Sequence, residues 1–239
     1  MPRIDALDGD ENGPQHNGLS HQAIEDYLKT IYALAKTESP VSTSRIAEAR
    51  DVKPASVTSM IQRLARLNLV NYEKHYGVTL SPTGEKIALE VIRHHRLLEL
   101  YLIEALGFSW DEVHEQADLL EHVISEKLEE RISAALGHPT VDPHGSPIPA
   151  RDGTLPQLKT QALISLRPGD TAVIAEVAND DNPDMLRYLA ELDLVPGAKI
   201  VVKALAPFDG PITLDVNGRE VVVGFNVASE LLTTRESSQ

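Results

Sequence analysis

Asp118, Glu121 and His122 place two carboxylates and an imidazole within little more than one turn of a helical stretch, VHEQADLLEHVISEKLEERI, over residues 113–132. Spacings of three and four put them on one helix face, and His114 lies one turn earlier on the same stripe. His95 and Glu99 repeat the pattern, four apart, on the helix before. Converging carboxylates and imidazoles suit a divalent first-row metal. Charged residues on an amphipathic helix also simply face water, and spacing alone leaves both readings open.

The composition narrows the chemistry. The chain of 239 residues contains no cysteine, which removes disulfides, thiolate metal sites and cysteine nucleophiles. Its length suffices for two or three small domains, and a hydrophobic content of 42% is that of a globular protein. No apolar run approaches membrane-spanning length. Residues 1–20 are polar and acidic, unlike a signal peptide; they are expected to be a disordered tail, and the protein to be cytoplasmic. The net charge of −14 argues against general nucleic-acid binding, but the charge is unevenly spread. Between Pro40 and Lys86 there are seven basic and four acidic residues, whereas from Thr160 onward there are six basic and twelve acidic. Only the first of these segments can approach phosphates without strong repulsion.

The elements around the stripe follow from periodicity. Residues 21–36 carry Ile24, Leu28, Ile31, Leu34 and Ala35 at helical spacing, and Ser39-Pro40 ends that helix. Ser42 or Ser44 can cap the next helix, SRIAEAR. After a break near Asp51, Lys53-Pro54-Ala55-Ser56 opens a third helix to about Leu67, with Val57, Ile61 and Leu64 inward. Two short helices joined by a tight turn predict a helix-turn-helix. Ser56, Ser59 and Gln62 are then the base-facing positions, and Lys53, Arg63 and Lys74 contact phosphates. The segment LVNYEKHYGVTLSPTGEK predicts a hairpin wing with a turn at Tyr76-Gly77, followed by a helix start at Pro82.

Beyond the wing, a long helix is expected from Thr83 to about Leu106 and a second from Ser109 to about Leu136, stopped by Gly107 and Gly137. Leu100, Ile103, Leu119 and Ile124, off the polar stripe, suggest packing on a second copy of the chain. Residues 138–160, rich in Pro, Gly and His, read as a linker in which His138 and His144 are loop histidines. The remainder, 161–235, alternates short strands (TAVIAEV, KIVVKAL, ITLDV, REVVVGF) with turns and one inserted helix, PDMLRYLAEL, and predicts a small SH3-like β-barrel. The expected fold is thus mainly α with a C-terminal all-β domain. It comprises a winged helix-turn-helix at 21–82, a helical dimerisation and metal-binding domain at 83–137, and the barrel.

In this order of parts the chain resembles the metal-dependent repressors of the diphtheria toxin repressor family, from about His21 to Leu232. The motifs that carry the resemblance are EDYLKTIY (25–32), RIAEARDVKPASVTSMIQRLARLNLV (45–70), LSPTGEKIA (80–88), HHRLLELYL (94–102), VHEQADLLEHVIS (113–125) and HGSPIP (144–149). The resemblance implies a homodimer that binds a double-stranded DNA operator when loaded with Mn²⁺ or Fe²⁺. It implies a primary metal site at Asp26, Asp118, Glu121 and His122, and an ancillary site at His95, Glu99 and His114. A barrel carboxylate from NDDNPDM, Asp181 or Asp184, is expected to complete the latter. Iron-branch members place Met and Cys where this chain has Asp26 and Asp118, and the manganese branch uses Asp and Glu. Carboxylates at both positions make a harder site, matched to Mn²⁺ and Fe²⁺. Lys29 stands where the manganese branch has a second carboxylate, so a closely spaced two-metal centre is not expected there. Two other readings remain: a regulator responding to a small organic ligand, and a metalloenzyme. The latter is disfavoured because neither H-E-x-x-H nor H-x-x-E-H occurs.

Overall fold

A computed structural model describes residues 14–235, the side chains of 14–20 excepted. The chain forms two compact units, Met1–Arg93 and His94–Gln239. Of the tail expected over 1–20, residues 1–13 lie outside the described residues, and the remainder is already helical.

The first unit contains α1 (Pro14–Ala35), α2 (Thr43–Ala49), α3 (Pro54–Arg66), a hairpin of β1 (Val70–Glu73) and β2 (Gly77–Leu80), and the start of α4 (Pro82–Leu106). Ile24, Leu28 and Ile31 of α1 meet Ile46 of α2, and Val57, Ile61 and Leu64 of α3, in one buried core. Ser42 caps α2 by accepting from the Arg45 amide, and Pro54 occupies the first turn of α3, where a missing N–H costs nothing. The wing pairs antiparallel from Val70↔Leu80 to Glu73↔Gly77, and its turn lies at Lys74–Tyr76, slightly before the expected one, with His75 left-handed (φ 71). Val41 and Val78 exchange backbone hydrogen bonds of 2.9 and 2.8 Å, tying the wing to the α1–α2 connection. Gly84 lies so close to the wing that a Cβ there would stand 2.0 Å from the Leu69 carbonyl oxygen, which explains a glycine in the first turn of α4. Ala88 is buried in the same core. The unit boundary therefore falls within α4, later than position 82, because the first turns of that helix pack with the DNA-binding elements.

In the second unit, α4 continues to Leu106, and the single helix expected over 109–136 is two: α5 (Val113–Leu120) and α6 (Glu126–Ala135). The ladder stops at Glu121, which caps α5, and Ser125 starts α6 afresh by accepting from the Leu128 amide. Ile148, from the expected linker, is buried with Leu97, Leu98, Ala117 and Ile132. Asp142, His144 and Ser146 are buried as well, so residues 142–148, though irregular, are interior structure rather than a solvated connection. A six-stranded antiparallel sheet in the order β3-β8-β4-β5-β6-β7 follows, made of β3 (Gln161–Ala162), β4 (Thr171–Val177), β5 (Lys199–Leu205), β6 (Ile212–Val216), β7 (Arg219–Val223) and β8 (Leu231–Arg235). Its alternating inward residues Ile174, Ile200, Val202, Leu214 and Val223 form the largest core cluster, joined by Leu186 and Leu189 of the inserted helix α7 (Pro183–Glu191). A short helix α8 (Phe225–Ser229) precedes β8.

Candidate metal centre and DNA-reading surface

His95, on α4, is the hub of a buried polar cluster in the second unit. Its Nδ1 lies 2.6 Å from Glu121 Oε2 and 3.2 Å from Asp118 Oδ1, and its Nε2 lies 2.9 Å from Glu99 Oε1. His114, one turn before Asp118 on α5, reaches Glu99 Oε1 (3.2 Å), Asp118 Oδ2 (3.6 Å) and Asp181 Oδ1 (3.2 Å). His122 Nε2 stands 3.3 Å from Glu121 Oε1. The helix break alters the expected geometry: Asp118 remains on α5, but Glu121 is its cap and His122 belongs to the following turn. Asp118 consequently faces the two histidines His95 and His114, whose ligand atoms lie within 4.8 Å of one another and of its own. His95 thus touches members of both expected groups, Glu99 and His114 of one and Asp118 and Glu121 of the other.

His144 and Asp180 join this cluster and were not among the expected ligands. His144 Nε2 hydrogen-bonds the Trp110 carbonyl at 3.1 Å, so in the neutral ring it carries the proton and Nδ1 keeps its lone pair. That Nδ1 lies 3.8 Å from both Glu99 Oε2 and Asp180 Oδ2. Glu99 Oε2 and His144 Nδ1 are buried and have no hydrogen-bond partner. A separation of 3.8 Å is too long for a hydrogen bond. It suits two ligands of one ion, because donors at about 2.1 Å from an octahedral cation stand about 3 to 4.2 Å apart. These residues therefore fit a metal. Among the barrel carboxylates, Asp181 faces His114, whereas Asp184 does not reach the centre: it pairs with Arg187 at 2.9 Å, which also binds Asp111 at 2.8 Å. A histidine in a Gly/Pro-rich run reads like any loop histidine, and only its burial distinguishes it. Asp180 is adjacent to Asp181 in NDDNPDM, and nothing in sequence order singled it out.

The electrostatics of the cluster are those of protons standing in for a cation. Burial works against a charged His95, but Glu99, Asp118 and Glu121 outweigh it and raise its pKa well above the usual value. His114 and His144 are raised likewise against burial, both chiefly by Glu99. Burial favours a neutral Glu99, yet His95, His114 and His144 hold it well below the carboxylate range. Asp142 behaves in the opposite way. Its Oδ1 accepts from the amides of His144 (2.8 Å) and Ser146 (2.9 Å), and Arg96 Nε lies 3.3 Å from its Oδ2. Burial and the nearby Glu99 nevertheless push its pKa up to about 7 against the pull of Arg96. Arg96 also donates to the Pro147 carbonyl, which helps fix the 142–148 segment.

In the first unit Asp26, on α1, is partly buried and accepts from Arg50 Nη2 at 3.1 Å. Ser56, Ser59 and Gln62 are exposed along α3, with Lys53 exposed at its N-cap, Arg63 partly buried on its flank, and Lys74 exposed on the wing turn. The buried Val57, Ile61 and Leu64 occupy the opposite face of α3. Among the described residues no helix is long and apolar enough to cross a membrane.

Residues 20–78 match the domain family described as the iron dependent repressor N-terminal DNA binding domain, 81–150 its metal binding and dimerisation domain, and 162–234 the FeoA domain. The iron-dependent repressor IdeR of Mycobacterium leprae is 31% identical over 209 residues, covering 83% of this chain and 90% of the relative. The diphtheria toxin repressor of Corynebacterium diphtheriae is 28% identical over 207 residues, covering 82% and 90%. Among solved structures, a manganese-dependent transcriptional repressor in complex with manganese is 37% identical with a TM-score of 0.82, covering 89% of this chain and all of that one (100%).

Proposed function

Because this chain belongs to the diphtheria toxin repressor family of iron- and manganese-dependent regulators, we propose that it is a homodimeric transcriptional repressor whose hold on operator DNA is set by Mn²⁺ or Fe²⁺. The observation that carries the metal reading is the pair of unpartnered buried atoms, Glu99 Oε2 and His144 Nδ1, facing each other beside Asp180. A cation supplies what both lack. We assign two ions. The primary one is held by Asp118, Glu121 and His122, with Asp26 added on the resemblance of EDYLKTIY alone. The second is held through Glu99 by His144 and Asp180, while His95 and His114 hold the other oxygen of Glu99 and, through His114, Asp181. All donors are nitrogen or oxygen, which favours Mn²⁺ and Fe²⁺ over thiophilic ions.

Bound metal supplies positive charge that replaces the protons now shared among the histidines. The chain's own residues do the rest. Asp118, Glu121 and His95 hold the break between α5 and α6 in place. The segment 142–148 presents His144 with its Nδ1 lone pair turned to the ion. α3 offers Ser56, Ser59 and Gln62 to the major groove, while Lys53, Arg63 and Lys74 meet phosphates. A hundredfold gain in DNA affinity on metal binding corresponds to a coupling of about 2.7 kcal/mol. Titrating DNA binding with Mn²⁺ and reversing it with a chelator tests the reading, with His122→Ala as the site control. Binding indifferent to metal would favour an organic effector instead. Wild-type metal dependence of His122→Ala would remove it from the primary set.

A further inference from the structure

Arg50 is one of the seven basic residues that give the Pro40–Lys86 segment its positive charge, but its side chain is engaged within the fold. It caps the C-terminus of α2, next to the left-handed Asp51 (φ 49), and its side chain turns back onto α1. Nη2 reaches Asp26 Oδ2 at 3.1 Å, and Nη1 donates to Thr30 Oγ1 at 3.1 Å. The guanidinium lies 4.7 Å above the centre of the Tyr27 ring, and Thr30 Oγ1 in turn donates to the Asp26 carbonyl at 2.8 Å. The side chains of Arg50 and Asp26 are only 24% and 26% exposed, so water screens the pair incompletely. Every partner named here lies within the DNA-binding unit.

We propose that Arg50 is a positioning residue for Asp26: a resident cation that orients this carboxylate and lowers the affinity of the site for divalent metal. The inference rests on the reading of Asp26 as a metal ligand. A carboxylate has two oxygens and can serve two cations, and the contact with Arg50 engages Oδ2 and fixes the carboxylate plane towards a second one. That cation must share its ligand with a charge already present. A fixed guanidinium bonded to the same carboxylate repels a divalent ion, and at the effective dielectric of a half-buried site the repulsion weakens binding by roughly tenfold. Arg50 thereby raises the metal concentration at which the site fills. A lysine at the same place would keep the charge but lose the planar fork that reaches Asp26 and Thr30 together.

The test is direct Mn²⁺ calorimetry on the full chain, with the melting temperature measured alongside. Arg50→Met keeps the stem over Tyr27 and removes the charge; it should bind Mn²⁺ roughly tenfold more tightly. A residue that merely holds α2 against α1 would give weaker or unchanged binding when removed. Arg50→Gln, which retains a donor for Asp26 without the charge, should tighten binding as well and replaces Arg50→Met if the latter fails to fold. Asp26→Ala should weaken binding, and adding Arg50→Met to it should recover part of the loss, since the charge of Arg50 acts on the ion with or without Asp26. If Asp26→Ala weakens binding but neither neutral Arg50 variant tightens it, the role of Arg50 is overturned and the ligand assignment stands. If Asp26→Ala leaves Mn²⁺ affinity unchanged, Asp26 is not a ligand and both fall.

Discussion

His144 is fixed by its neighbours before any metal arrives: the Trp110 carbonyl accepts a hydrogen bond from its Nε2, and its ring lies 5.1 Å from that of Trp110. Replacing it with alanine should cost one of two bound Mn²⁺ ions in equilibrium dialysis while leaving the other, because Glu121 and His122 do not depend on it. Loss of both ions, or of neither, would contradict the assignment of the second site. Asp142 gives a prediction with a sign set by its pKa. Its folded value, about 7, lies above the ordinary 3.8, so the folded state prefers the neutral acid. Stability from that preference is present at acidic pH and is lost as the pH rises towards 7 and ionisation forces a buried charge. Asp142→Asn keeps an oxygen for the His144 and Ser146 amides and cannot ionise. With chelator present it should raise the melting temperature by about 5 °C at pH 8 and by clearly less at pH 5. An equal change at both values would mean that Asp142 is not titrating between them.

The helices show why some elements could be read from the sequence and others not. The face of α3 was legible because Val57, Ile61 and Leu64 recur at helical spacing and Pro54 marks the start. The break between α5 and α6 was not, because 113–132 keeps its helical period through Glu121–Ser125 and only the Ser125 cap betrays it. The last strand was hidden for a similar reason. Its inward position Thr233 is polar, hydrogen-bonded to the Gln161 carbonyl at 3.1 Å, and so breaks the alternation that announces a strand. Of the candidate metal centre, the clustered residues at helical spacing could be picked out from the sequence, whereas His144 and Asp180 are brought in by tertiary packing of irregular segments. The exposed face of α3 can be tested as an element: Ser59→Ala and Gln62→Ala should change which DNA sequences are preferred. Lys74→Ala should weaken binding to all sequences alike and lower the salt slope by about one. Equal losses on selected and random DNA for the α3 variants would take those positions off the base-reading surface.

At the scale of the whole molecule, the exposed apolar residues set the expectation for assembly. Leu119 and Val123, 68% and 74% exposed beside the proposed metal ligands, have a size and place that a second copy would cover. Val123→Asp should give a monomer in analytical ultracentrifugation that binds DNA at least tenfold more weakly, since two half-sites can no longer be gripped together; a dimer of unchanged affinity would place the interface elsewhere. The proposed metal centre, with imidazole and carboxylate donors only, in a chain with no cysteine, has a further consequence. Peroxide disables thiolate-ligated sensors by converting the sulfur to sulfenic and higher acids, so that they report oxidant and metal together. This centre offers no sulfur to that chemistry. With Mn²⁺ bound, its affinity for DNA should survive a peroxide challenge unchanged in a gel-shift assay, and a sharp loss would show that oxidation reaches the site by another route. Such a repressor would go on reporting metal supply during oxidative stress, when a thiolate sensor would report damage.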